Sequence, residues 1–164
     1  LCQSAAELDL YGTVQGAVCT LDSINHIIDV DELQEAFNKV SLFLEQGCLF
    51  IFDVNSEYKH CCVLSDNNFV LEDDDVFCVW QNSFDSPFTD ITLDFFCKKG
   101  QNYERSREEF SERFFLSYNL QFLLLQTSKK ATKIHLLVAH KVLGTIFPSI
   151  LPTNYLINYT IFKP

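Results

Sequence analysis

Near its start the chain sets a strand, an amphipathic helix and a second strand in direct succession, and this run limits its fold more than any other feature. Residues 14–20, "VQGAVCT", are small and apolar at the centre, with Gly12 and Gly16 about their start, the pattern of a strand covered on both faces. Residues 31–45, "DELQEAFNKVSLFLE", place Leu33, Phe37, Val40 and Leu44 at spacings of four, three and four, which makes one apolar helical stripe. Asp29 or Asp31 caps its start, acids fill its first turn where the helix dipole favours them, and Gly47 is placed to end it. Residues 48–55, "CLFIFDVN", then form a continuous apolar run that stops at a carboxylate and an amide.

A strand–helix–strand unit of this kind joins two parallel strands by a right-handed crossover. Both strands end in polar groups, Asp22, Ser23 and Asn25 on the first and Asp53 and Asn55 on the second. Open α/β sheets bind their ligands outside that edge. The polar burst from Cys19 to His26 therefore marks a candidate site.

The middle of the chain changes character. "HCCVLS", "NFVLE", "DVFCVWQNSFD" and "DITLDFFCKKG" are short apolar-polar segments parted by Asp, Asn, Ser and Pro turns, which predicts two to four antiparallel strands. "YERSREEFSERFF", residues 103–115, suits a charged helix or an exposed strand with Tyr103, Phe110 and Phe114 packed beneath. "LSYNLQFLLLQT" predicts a helix capped by Ser117, and "KIHLLVAH" and "NYLINYTIF" predict the last strands.

Composition decides class. A hydrophobic share of 48% with 16 Phe in 164 residues describes one folded domain with a real core. A formal net charge of −10 disfavours a nucleic-acid partner, which needs a clustered basic surface; Lys98-Lys99 and Lys129-Lys130 are solvated loop ends. The seven cysteines include no C-x-x-C pair and are odd in number, so they are expected as reduced thiols of a cytoplasmic protein, without a metal. No signal peptide is expected. "IHLLVAHKVLGTIFPSIL" is interrupted by His135, His140, Lys141 and Pro148, so no membrane span is expected either. The sequence has no methionine, and is expected not to begin where its gene begins.

Residues 1 to about 118, including the stretch "AELDLYGTVQGAVCTLDSINHIIDVDELQEAFNKVSLFLEQGCLFIFDVNSEYK", resemble bacterial class I methyltransferases that use S-adenosylmethionine. The matches are "VCTLDSINHI" at the end of that family's fourth core strand, "GCLFIFDVNSEYK" as its fifth, an antiparallel insertion like "NNFVLEDDDVFCVWQNSFD", and a run like "YERSREEFSERFF". The resemblance implies a Rossmann-like α/β core, N-terminally incomplete, with an antiparallel β insertion forming a cap. Residues 1–56 and 117–164 would be the core and 57–116 the cap of a single domain. It also implies S-adenosylmethionine as cofactor and a small-molecule acceptor as substrate. Gln3, Ser4 and Ala5 would stand beside the adenine, and Thr20, Leu21 and Asp22 along the cofactor. Asp22, Ser23, Asn25 and His26 would then face the acceptor as catalytic groups. The family's glycine-rich loop is not in this sequence, and Ser4 and Ala5 replace its usual acid and large apolar residue.

Blander alternatives stand beside these roles. Asp22-Ser23 also suits a helix-cap turn, Asp53 and Asn55 suit strand-end turns, and His26 suits a partly buried structural histidine. "LEDDDV", residues 71–76, lacks the spacing and glycine of a calcium loop and is a solvated turn. Arg105, Arg107 and Arg113 are expected to pair at the surface with Glu104, Glu108, Glu109 and Glu112. The competing functional reading is a non-catalytic remnant that binds a partner or forms a homo-oligomer through an exposed core edge.

Overall fold

A computed structural model describes residues 2–127, 133–140 and 155–156 of the chain. It contains two four-stranded sheets. The first runs β1 (Val14–Cys19), β2 (Leu44–Val54), β7 (Lys133–His140) and β8 (Tyr155–Leu156) in that order, with β1, β2 and β7 parallel and β8 antiparallel to β7. The second is an antiparallel meander of β3 (Asn68–Asp73), β4 (Val76–Asp85), β5 (Phe88–Lys99) and β6 (Asn102–Arg113). Helix α1 (Val30–Phe43) lies between β1 and β2 in sequence, and α2 (Ser117–Thr127) comes after β6. Most of "NYLINYTIF", the lysines at 129 and 130 and the stretch 141–154 lie outside the described residues.

The start of α1 is dictated by its sequence. The Asp29 side chain accepts from the amides of Asp31 and Glu32, both at 2.9 Å, and so satisfies two donors that a helix end leaves bare. Its end differs from expectation. The helix stops at Phe43, where extended Leu44 passes straight into β2, and Gly47 is a residue of that strand. β2 advances from Leu44 to Leu49 while β1 advances only from Val14 to Gly16, so the pair contains a bulge. Gly47 takes φ +84 within it, a conformation that costs glycine nothing and other residues something. The glycine serves register rather than the end of the helix.

Alternation along β2 builds the core. Phe50 and Phe52 stand two residues apart on one face, where they meet Phe37 of α1 with ring centroids 6.2 and 5.6 Å away. Ile24, Leu33, Leu44 and Val54 complete this cluster with Phe115, Leu120 and Leu123 around α2. Val18, Leu49 and Ile51 carry the opposite face and are exposed among the described residues, although the sequence pattern resembles a strand covered on both sides. A smaller core joins Leu64, Trp80 and Ile91 with Phe69, Leu71, Leu93 and Phe110 between the antiparallel sheet and a π-helical turn at Lys59–Leu64. No helix among the described residues is long and apolar enough to cross a membrane.

Residues 103–113 take the strand alternative. β6 pairs with β5 along its whole length, from Phe88 opposite Arg113 to Lys99 opposite Asn102. Its arginines and acids do not pair mainly with one another. Arg105 and Arg107 close on Asp94 of β5 at 2.7 and 2.8 Å, and only Arg107 with Glu109 forms the expected kind of surface pair. The two guanidiniums, Arg107 first, hold the Asp94 carboxyl down to about 2.

Because Phe52 is fully buried among aromatic and aliphatic neighbours, Phe52→Ala is expected to lower unfolding stability by about 3–5 kcal/mol, read as a drop in the urea midpoint at unchanged slope.

Candidate functional site

Past β1 the chain turns through residues 21–26. Leu21 and Asp22 adopt φ of +61 and +52, the left-handed region that side chains disfavour. The Asp53 carboxylate at the end of β2 accepts the amides of Asp22 at 3.0 Å and Leu21 at 3.3 Å and holds the turn in place. Ser23 Oγ closes the turn on the Thr20 carbonyl at 2.7 Å. These two amides are thus committed to the protein, and the side chains of Asp22 and His26 are what the turn presents.

Asn25 does a different job. It is fully buried, its side-chain oxygen accepts the Asn55 amide at 2.7 Å, and its Nδ2 donates to the carbonyls of Asn55 at 3.2 Å and Arg113 at 2.8 Å. Its own carbonyl accepts the Arg113 amide at 2.8 Å. The Asn25 side chain acts as an added peptide group that ties the end of β2 to the end of β6. Arg113 strengthens the seam by donating Nη1 to the Ile28 carbonyl at 2.9 Å, with its guanidinium over the rings of Phe88 and Phe115.

Charged and polar groups converge at this seam. Asn55, also buried, donates Nδ2 to Asp22 and, at 3.0 Å, to Glu112 Oε2, and accepts from Lys59 Nζ at 2.8 Å. Lys59 lies 3.8 Å from Asp22. Glu112 Oε1 is 3.8 Å from His26 Nε2, and its Oε2 is 3.7 Å from Nε2 of buried His60, whose Nδ1 meets Thr89 Oγ1 at 2.8 Å. The His26 ring packs on Phe110 with centroids 5.1 Å apart and stays open to solvent on its other side. Burial first, then the Asp22 charge, pushes the Glu112 carboxyl up against the opposing pull of Asn55, Lys59 and His26. Burial and the Lys59 charge push His60 down to about 4, so it is neutral near pH 7.

The structure therefore brings Asp22, Asn25 and His26 together, with Ser23 beside them and Asn25 turned wholly inward. Gln3, Ser4, Ala5 and Thr20 lie exposed, and the Thr20 carbonyl accepts from Ser23. Ala5 and Ser23 border an apolar hollow of about 370 Å³, lined also by Cys19, Ile24 and Phe37. Lys59, His60, Thr89 and Glu112 are site residues that sequence reasoning missed. "SEYKH" directly after a strand end was the available signal for the first two, and Glu112 passed as one more surface acid.

No family model matches the chain. It is 29% identical over 106 residues to "Putative methyltransferase YqeM" of Bacillus subtilis (strain 168), a match of 63% of this chain and 43% of that protein. A second match, 26% identical over 78 residues, is "Putative methyltransferase GWCH70_2453" of Geobacillus sp. (strain WCH70). Among solved structures, an S-adenosylmethionine-dependent methyltransferase from Clostridium acetobutylicum ATCC 824 superposes with TM-score 0.73 at 37% identity, over 77% of this chain and 52% of that one. S-adenosylmethionine-bound CalS10, an amino pentose methyltransferase from Micromonospora echinaspora, superposes with TM-score 0.62 at 12% identity, a likeness of fold alone. The fold is that of the Rossmann-like methyltransferases. The chain is thus similar in sequence and fold to class I S-adenosylmethionine-dependent methyltransferases, and it spans 43% of the length of the Bacillus protein and 52% of that of the Clostridium one.

Two outcomes test the seam. Asn25→Ala strands two buried carbonyls and one amide, and is expected to cost about 3 kcal/mol or more of unfolding stability in urea titration. His60 binds its proton at about 4 in the fold against 6.5 in the open chain, so its contribution is present above pH 6.5 and is lost as the pH falls through 4. Thermal scans are expected to show an acid loss of about 3 kcal/mol between those limits that His60→Phe abolishes.

Proposed function

We propose that the chain contributes to methyl transfer from S-adenosylmethionine to a small-molecule acceptor. The observation that carries this reading is the convergence of Asp22, His26 and Glu112 at the carboxyl ends of β1 and β2, in a chain 37% identical to a methyltransferase that uses this donor. In an open α/β sheet that edge is where a ligand sits. The described residues fit one part of the donor: the hollow beside Ala5 and Ser23 is apolar and large enough for a purine ring. When bound, the donor supplies a methyl group on a positively charged sulfonium, which leaves as a neutral thioether.

The chain's own groups divide the remaining work. Gln3, Ser4 and Ala5 border the purine side, and Thr20, Leu21 and Asp22 line the donor's length. Asp53 fixes that turn through the amides it holds, so the lining is set before any ligand arrives. Ser23 and His26 face the acceptor, and His26 is the group on this edge suited to take a proton. Asn25 works through the backbone, by holding β6 and its Glu112 against the strand ends. Residues 57–116 act as the cap over the acceptor within one domain formed with 1–56 and 117–164. A small-molecule acceptor suits this edge better than nucleic acid, which a net charge of −10 disfavours. The cytoplasm is the compartment that fits this reading.

A second reading, a partner-binding or self-associating module, is favoured by one observation. β1 pairs only with β2 among the described residues, and Val18 on it is 70% exposed. Calorimetric titration separates the two. Micromolar heat with S-adenosylmethionine or its demethylated product is expected under methyl transfer, while no heat at millimolar ligand, with a dimer mass by light scattering, is the outcome of the second.

A further inference from the structure

Glu112 is the buried acid that the site's described roles leave unused. It is brought by β6 from the antiparallel sheet, its side chain is 6% exposed, and its two oxygens face two different imidazoles. One ring, His26, reaches solvent and the cleft. The other, His60, is enclosed, and its Nε2 is a buried nitrogen without a hydrogen-bond partner. A native fold leaves few such atoms, and each calls for an explanation. His60 is neutral, and in the tautomer that donates Nδ1–H to Thr89 Oγ1 its Nε2 carries a lone pair in need of a donor. An ionised Glu112 has no proton to offer that lone pair. A protonated Glu112 does.

We propose that Glu112 is the store for the proton released in the reaction, filled through His26 and held against His60. The proposal rests on the methyl-transfer reading. In the step, the acceptor's lone pair forms the new bond to the methyl carbon, and the carbon–sulfur bond of the sulfonium breaks with its electron pair returning to sulfur. The acceptor's proton passes to His26 Nδ1, and His26 yields its Nε2 proton to Glu112 Oε1. A half-turn of the carboxyl then directs its O–H to His60 Nε2, whose lone pair accepts the hydrogen bond. The proton returns to water through His26 once the product has left.

The separations fit a relay in its open state. Gaps of 3.7 and 3.8 Å exceed hydrogen-bond length by somewhat less than 1 Å, and catalytic hydrogen bonds are commonly long before the ligand binds. The charges that face Glu112 come from every element around it: Asp22 from the turn after β1, Lys59 and His60 from the π-helical turn, and His26 from the loop before α1. Burial and Asp22 make its carboxylate a stronger base than an ordinary glutamate, as an acceptor of His26's proton must be. Asn55 holds Oε2 before the half-turn, and the other oxygen takes that place after it. Glu112 touches no substrate, so it acts as a positioning and proton-holding residue.

The test uses the chain alone and does not depend on the donor. Carboxyl ¹³C and ring ¹⁵N signals are followed by NMR from pH 4 to 9. The expected result is one shared midpoint, above the range of ordinary glutamates, at which the Glu112 carboxyl, His60 Nε2 and His26 ring signals all change. In Glu112→Gln the His60 signal is expected to lose that step. Should Glu112→Gln fail to fold, Glu112→Asp, too short to reach both rings, is expected to give separate midpoints in its place. Midpoints that are independent in the unsubstituted chain, or a Glu112 midpoint in the ordinary range, would overturn the relay. The calorimetric titration with S-adenosylmethionine reports on the methyl-transfer reading by itself, so each idea has its own failure.

Discussion

One buried asparagine ties the end of the parallel sheet to the end of the antiparallel one. Asn25 engages its backbone amide and carbonyl, its side-chain oxygen and both side-chain N–H groups with backbone groups of three segments: its own turn, the end of β2 and the end of β6. A buried amide with all partners in place behaves like a piece of sheet ladder, directional and costly to break. The core packing of Phe37, Phe50 and Phe52 brings the elements close but fixes no angle between the sheets. Asn25 supplies that angle, and with it the approach of Glu112 to His26.

Around this amide the fold tolerates a dense set of buried charge. Asp22, Lys59 and Glu112 lie close together in poor contact with water, an arrangement that is seldom favourable by itself. It persists because Asn55 stands between them, donating to both acids and accepting from the lysine. The site is thus preorganised by amides, with the ionisable groups arranged on them. Stability and protonation draw on the same atoms, which is why the seam is sensitive to pH from two directions. A Glu112 raised in the fold stabilises at acid pH and loses that contribution as the pH climbs, while His60 loses its own as the pH falls.

Much of the parallel core was legible because it rests on local pattern. The stripe of Leu33, Phe37 and Val40 announced α1, the run "CLFIFDV" announced β2, and the polar strand ends pointed to the right edge. Gly47 misled because its positive φ serves a bulge in a strand pair, and pairing is not written in either strand alone. Residues 103–113 stayed ambiguous because β6 is exposed over most of its length, leaving no alternation for burial to imprint. The heart of the site was least legible. Glu112 meets His26 from the far end of the antiparallel meander, through the register of β6 on β5, and nothing near "FSERFF" distinguishes this acid from its surface neighbours.

The placing of Asn25 has one more consequence. The chain leaves the parallel core at Asn55 and comes back at Arg113, and a single side chain touches both points. The whole antiparallel meander is therefore a closed excursion with its ends clamped side by side. Lengthening or shortening its hairpins alters the meander without displacing its stem or straining the parallel strands. Such an arrangement allows the meander to diversify while the strand ends that carry it stay as they are, much as an interchangeable tool head is fitted to a fixed handle.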